Sequence, residues 1–256
     1  MLSTYNIIAV GVLFSLMAGL ATGVGAIPIF FTRKVSERQL DGMLGFAAGV
    51  MLAATSFSLI LPAIEYGGGG VIGALITCIG IVTGGIFLDM VDKLTPHAPI
   101  NGRLEASQSS LRKVWLFVIA ITIHNFPEGL AVGVGFGAHD IGNAVALAIG
   151  IGLQNIPEGL AVALPLIREG YSAGKAFLIA LATGLVEPIG GLFGVALVQV
   201  AGPILPFGLA FAAGAMLFVM SDEIIPETHS HGHERAATYA ILIGFVIMMF
   251  LDVVLG

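Results

Sequence analysis

Charge is scarce in this chain, with ten basic and sixteen acidic residues among 256, while apolar side chains make up 57%. So little charge cannot solvate the surface of a soluble core, and the composition points to a chain that crosses a bilayer repeatedly. Cysteine is almost absent: the single Cys78 lies in an apolar run, which excludes an intrachain disulfide framework. Met1 to Ala9 lacks Lys and Arg, so the basic start of a secretory signal is missing and the first apolar run is expected to stay as a span. A net charge of −6 without a basic patch argues against nucleic acid as a partner. No Lys-Ser/Thr follows the four glycines at 67–70, which therefore read as a loop and not a phosphate cradle.

What is abundant is long apolar runs. Hydropathy divides the chain into spans at about 5–31, 40–64, 70–93, 112–137, 140–167, 173–200, 203–225 and 236–255, an all-α membrane protein of eight transmembrane helices in one domain. Connections are short except for 94–110, where Pro96, Pro99 and Gly102 mark a loop. All the basic residues fall in the odd-numbered connections. The positive-inside rule then puts those connections in the cytoplasm and both termini outside.

Two of the spans carry a matched polar motif, ITIHNFPEGLA at 121–131 and GLQNIPEGLAV at 152–162. Four-residue spacing brings His124 and Glu128 to one helix face with Asn125 beside them, and Gln154, Asn155 and Glu158 repeat the geometry. Pro127 and Pro157 have no N–H, so the carbonyls of Ile123 and Leu153 lose their helical partners, and both helices are expected to kink there. Polar groups of this kind are costly at membrane depth. Two carboxylates, an imidazole, three amides and loosened carbonyls suit a divalent cation; the alternative is a set of structural contacts between helices. An intramembrane metal-dependent hydrolase is a competing reading, but H-E-x-x-H is absent and one intramembrane His is available. A channel would share every ligand. Zn²⁺ suits the donor set best, with Fe²⁺, Mn²⁺ and Cd²⁺ also compatible.

An internal repeat surrounds the motif pair. LATG at 20–23 recurs at 181–184, FAAGVML at 46–52 as FAAGAML at 211–217, and FLDMV at 87–91 as FLDVV at 250–254. Spans 1–3 (residues 1–93) thus correspond to spans 6–8 (173–255), with the central pair at 112–167. The charge pattern gives corresponding spans opposite directions, a 3+2+3 inverted repeat of the kind found around midplane transporter sites. Glu187-Pro188 puts a third acid in span 6. Asp89, Asp92 and His97, with Asp222, Glu223 and the loop histidines His229, His231 and His233, form a candidate cytoplasmic relay.

HNFPEG and QNIPEG resemble the signatures of the fourth and fifth membrane helices of the ZIP family of divalent metal transporters, and the resemblance extends over the whole chain. It implies metal uptake into the cytoplasm across the plasma (cell inner) membrane, with no cofactor beyond the transported ion. It implies that Glu187 helps to hold a second metal and that Met51 brings a thioether near the site. Some members have Asp where this chain has Asn155. The family further implies that spans 1, 4, 5 and 6 move as a block against static spans 2, 3, 7 and 8, in a homodimer. On that view the small-residue faces Gly45-xxx-Gly49 and Ala210-xxx-Gly214 would be the sliding surface.

Overall fold

The computed structural model describes residues 4–32, 35–94, 106–200, 202–230 and 232–255. It is helical apart from short turns between and within the spans, and among the described residues eight helices are long and apolar enough to cross a membrane. They are span 1 (Ile7–Phe30), span 2 (Glu37–Tyr66), span 3 (Gly70–Val91), span 4 (Phe117–Gly137), span 5 (Ile141–Arg168), span 6 (Ala173–Gln199), span 7 (Leu205–Thr228) and span 8 (Glu234–Leu255). The hydropathy limits agree with these to within a few residues. Ends are set by local chemistry. Ser36 and Gln39 form a reciprocal capping box at the start of span 2, and the side chains of Asp140 and Ser172 accept from backbone N–H groups to open spans 5 and 6. Gly68, Gly69 and Gly70 take positive φ between spans 2 and 3, a turn that a residue with Cβ would resist.

Spans 2 and 7 both pass through a π-helical stretch, Ala54–Ile60 and Met220–Ile224, just before Pro62 and Pro226. Each proline lacks the N–H that would continue the ladder, so the wider turn re-routes the bonding: the N–H of Leu61 reaches Ser56 and that of Ile225 reaches Met220. In span 2 the Asn143 side chain donates to the Ser58 carbonyl at 3.5 Å, while the Ser58 hydroxyl donates to Asp252 of span 8.

Glycine decides which helices touch. Span 1 lies along span 5, span 4 along span 6, and spans 1 and 6 cross. A Cβ on Gly25 would collide with the Ile156 carbonyl, and one on Gly190 with the Phe126 carbonyl. Span 2 lies along span 8 and span 3 along span 7, again through glycine: Gly49 against Ile241, Gly244 against Phe46, Gly84 against Phe211 and Gly214 against Ile81. These close approaches join spans 1, 4, 5 and 6 to one another, and spans 2, 3, 7 and 8 pairwise. Where a glycine meets the other set it meets a side chain, as where Met248 of span 8 meets Gly150 of span 5. The expected sliding surface is therefore corrected. The faces of Gly45, Gly49 and Gly214 are already filled by spans 8 and 3, because a glycine stripe announces close approach without naming the partner.

Candidate metal site

Both motif helices run on through their prolines, Ala106–Gly137 through Pro127 and Ile141–Arg168 through Pro157. The Pro-Glu-Gly order gives each residue a separate task. Proline loosens the backbone, glutamate faces the site, and glycine lets another span come within backbone contact: Gly129 against the Glu187 carbonyl, Gly159 against the Thr22 carbonyl.

His124, Glu128 and Glu158 converge, each offering a ligand atom, and all three are buried. His124 Nε2 lies 3.3 Å from Glu128 Oε1 and 3.6 Å from Glu158 Oε1. Ligand atoms bonded tetrahedrally to zinc at about 2.0–2.1 Å stand about 3.3 Å apart, so the spacing fits one small divalent ion. Gln154 joins them through its side-chain Nε2, which donates to Glu128 Oε1. Half a turn of that amide would present Oε1 as a further ligand.

Unpartnered polar atoms concentrate here. Buried side-chain atoms without a hydrogen-bond partner include both ring nitrogens of His124, both amide atoms of Asn125, Glu128 Oε2, Gln154 Oε1, Asn155 Oδ1, both oxygens of Glu158 and Glu187 Oε2. Burying an unsatisfied polar group costs about 1–3 kcal/mol, more for charged groups, so a cluster of them is a feature of function and not of stability. Asn155 turns its nitrogen the other way, donating to Ala18 O at 2.9 Å and to Glu187 Oε1 at 2.6 Å. Glu187 opens the second helix of span 6, Glu187–Val200, where a carboxylate is favoured by the helix dipole.

Met51 is buried in the apolar core. The relay candidates are scattered. Asp89 pairs with Lys93 at 2.5 Å, one helical turn away. Asp222 is exposed, and Glu223 belongs to the π-helical stretch of span 7. His229 Nδ1 lies 3.0 Å from the Ile225 carbonyl, and its ring also meets Thr228 and Thr238. His233 Nδ1 lies 3.1 Å from Asp41 Oδ2. His97 and His231 lie outside the described residues. Among the described residues, the relay candidates form no further group of three His, Cys, Asp or Glu ligands.

Sequence reasoning missed the contribution of span 1. Ser15 and Thr22 are fully buried, the Ser15 hydroxyl donates to Gly129 O at 3.5 Å, and the Ala18 carbonyl holds Asn155. The signal was present: Ser15, Ala18, Gly19 and Thr22 stand at i, i+3, i+4 and i+7, a small polar stripe on one face. Buried Asp41 was missed as well, since its partner His233 is remote in sequence.

Comparison with known proteins bears on the same residues. The family described as ZIP Zinc transporter matches residues 96–252, which include both motifs. Zinc transporter GufA of Myxococcus xanthus is 45% identical over 251 residues, covering 96% of this chain and 99% of that protein. Zinc transporter ZIPB of Bordetella bronchiseptica is 43% identical, covering 92% of this chain and 78% of that protein. The human Zinc transporter ZIP11 is 38% identical, with 92% and 94% covered.

Proposed function

The chain belongs to the ZIP zinc transporter family and so transports divalent metal ions, and on that premise we propose that it carries Zn²⁺ into the cytoplasm by alternating access through the buried His124, Glu128 and Glu158 group. The observation that carries this reading is the convergence of those three buried ligands, with His124 Nε2 at 3.3 and 3.6 Å from the two carboxylates. Gln154 supplies a further oxygen, and Asn125, Asn155 and Glu187 add buried polar atoms without partners, while Met51, in the apolar core, is assigned a place near the ion on the family resemblance alone. Fe²⁺, Mn²⁺ and Cd²⁺ are competitors for the same donors.

Spans 1, 4, 5 and 6 are the moving block, and spans 2, 3, 7 and 8 the static one. Backbone-close glycine contacts within each block, and side-chain contacts where a glycine meets the other block, support this division. The inverted repeat has independent support. The span pairing is unchanged when spans 1–3 are exchanged with 6–8 and span 4 with span 5, and Gly25 meets Ile156 as Gly190 meets Phe126.

Both termini are outside in this reading, and the odd connections are cytoplasmic. An open cavity of about 760 Å³ then serves as the cytoplasmic vestibule. Arg38 and Gln39 line it together with Leu153, Ile156 and Pro157, the last next to Glu158 in sequence. Of the relay candidates, the exposed Asp222 is the one assigned to receive the released ion. The membrane is the plasma (cell inner) membrane, and a second copy covers one of the outward apolar faces, of which spans 3 and 8 carry the broadest.

The test is radiolabelled zinc uptake into proteoliposomes with competing cations. Saturable uptake that Cd²⁺ suppresses and Mg²⁺ does not is the expected result; a linear, non-saturating flux would favour a channel.

A further inference from the structure

A second cavity, of about 280 Å³, lies between spans 3 and 7 on one wall and spans 4 and 6 on the other. It is the repeat counterpart of the 760 Å³ cavity. Gln39, Gly42, Met43 and Phe46 line the larger one, and in the register of the FAAGVML and FAAGAML words they correspond to Ile204, Phe207, Gly208 and Phe211, which line the smaller one. Ile156 and Leu160 of the second motif helix likewise correspond to Phe126 and Leu130 of the first, and each pair lines its own cavity. The chemistry of the two spaces differs. Thr32, Arg38 and Gln39 give the larger one polar groups, whereas every residue lining the smaller one is apolar or glycine.

Phenylalanine makes both walls of the smaller cavity. Phe126 and Phe193 of spans 4 and 6 pair at 6.2 Å between ring centroids, while Phe211 of span 7 stands 5.3 Å from Phe87 of span 3 and 6.2 Å from Phe207. Among the described residues no ring pair joins one wall to the other. Water gains nothing in such a space, since it needs about two to four polar partners, and an empty space forfeits the packing of its lining. What fills it is decided by where it opens. Phe87, Phe193 and Leu197 line it and are 41%, 61% and 43% exposed, so it is continuous with the outward surface of spans 3 and 6, which in a membrane-spanning chain meets lipid hydrocarbon. No charged or hydrogen-bonding side chain in the lining could hold a headgroup.

We propose that this crevice binds the acyl chain of a bilayer phospholipid, which enters past the exposed Phe87 and Phe193 and packs between the two phenylalanine walls. The walls belong to the proposed static and moving blocks. A hydrocarbon chain can follow a change in the width between them, where a side chain fixed to one wall cannot. The binding site itself does not rest on the metal assignment.

The test reconstitutes full-length protein into phosphatidylcholine vesicles containing a phosphatidylcholine with a diazirine midway along one acyl chain. After irradiation the labelled residues are mapped by peptide mass spectrometry. Leu130 decides the outcome, because it lines the crevice yet is only 9% exposed. Label should appear on Leu130, Phe126 and Phe211 as well as on the outward Phe250 of span 8. Label confined to Phe87, Phe193, Leu197 and the outward faces overturns the proposal, since lipid then stops at the mouth. Protection of Phe87 and Phe193 as well would mean that a second copy covers the crevice, and overturns it too. Gly208→Leu is the plug: a Cβ there meets the Val134 methyls at 3.8 Å, an ordinary contact, and the rest of the side chain takes up crevice space. Label on Leu130 should then be lost while that on Phe250 is kept. Unchanged Leu130 label in monodisperse Gly208→Leu protein overturns the site even where the wild type is labelled.

Discussion

Gly19 of span 1 and Gly184 of span 6 cross backbone to backbone, so that a Cβ built on either would collide with the carbonyl oxygen of the other. The crossing lies one residue from Ala18, which holds Asn155, and three from Glu187. Packing and site chemistry are therefore the same feature here. The small residues let two helices approach until their polar groups share one buried space.

Gly19→Ala should push spans 1 and 6 apart. Overpacking a tight contact costs about 1–3 kcal/mol, read as a lower melting temperature in detergent, and uptake should fall with it. Gly42→Ala is the control, since nothing lies within 4 Å of the added methyl. It should be neutral or stabilising by about 0.5–1 kcal/mol, the helix preference of Ala over Gly. Equal losses in both variants would remove the crossing from the account.

Glu128→Ala or Glu158→Ala should each abolish saturable zinc uptake while the protein still inserts and purifies normally. Each removes a charged ligand from a group of three, and His124 with one carboxylate cannot hold the ion in a buried site. Wild-type uptake kinetics in either variant would exclude that residue from the site.

Much of this was legible in the chain because the bilayer imposes simple rules. Apolar run length set the spans, and three- and four-residue spacing brought His124 and Glu128 together, since both are properties of a single helix. What stayed hidden depends on which helices meet. Gly49 announced a close contact but not that Ile241 would fill it, and Asp41 carried no mark of His233. The π-helical stretches were hidden as well. Pro62 and Pro226 flag disturbed bonding, but whether the chain kinks or widens its turn is decided by packing, as where Asn143 meets the Ser58 carbonyl. Asp89 reads as a relay acid from its position, whereas its turn-mate Lys93 makes it half of an ordinary helical pair.

Proton competition gives a prediction with a definite sign. His124 must be neutral to bind metal and the glutamates ionised, so protons and zinc compete for the same atoms. Apparent zinc affinity, measured by uptake at varied zinc from pH 8 to pH 5, should weaken steadily toward acid. His124→Ala should bind more weakly at every pH and show a shallower dependence. An affinity that is flat across the range would exclude His124 as a ligand.

The last prediction concerns movement. Glu37 of span 2 and Arg168 of span 5 form an ion pair at 2.8 Å between the proposed static and moving blocks, and both side chains are solvent-accessible. An exposed pair of this kind contributes about 0–1 kcal/mol, so it can break and re-form during a cycle without a large barrier. A covalent bond there cannot. With Cys78→Ser removing the native thiol, Glu37→Cys/Arg168→Cys can be joined by a short thiol-specific crosslinker. Crosslinked protein should retain zinc binding, because His124, Glu128 and Glu158 all belong to the proposed moving block and keep their mutual spacing. Its uptake should be lost, since the site can no longer change sides, and a reducible crosslinker should restore uptake on cleavage. Undiminished uptake at complete crosslinking would show that the two blocks do not move relative to each other at this contact. Zinc would then pass between fixed helices, as through a channel.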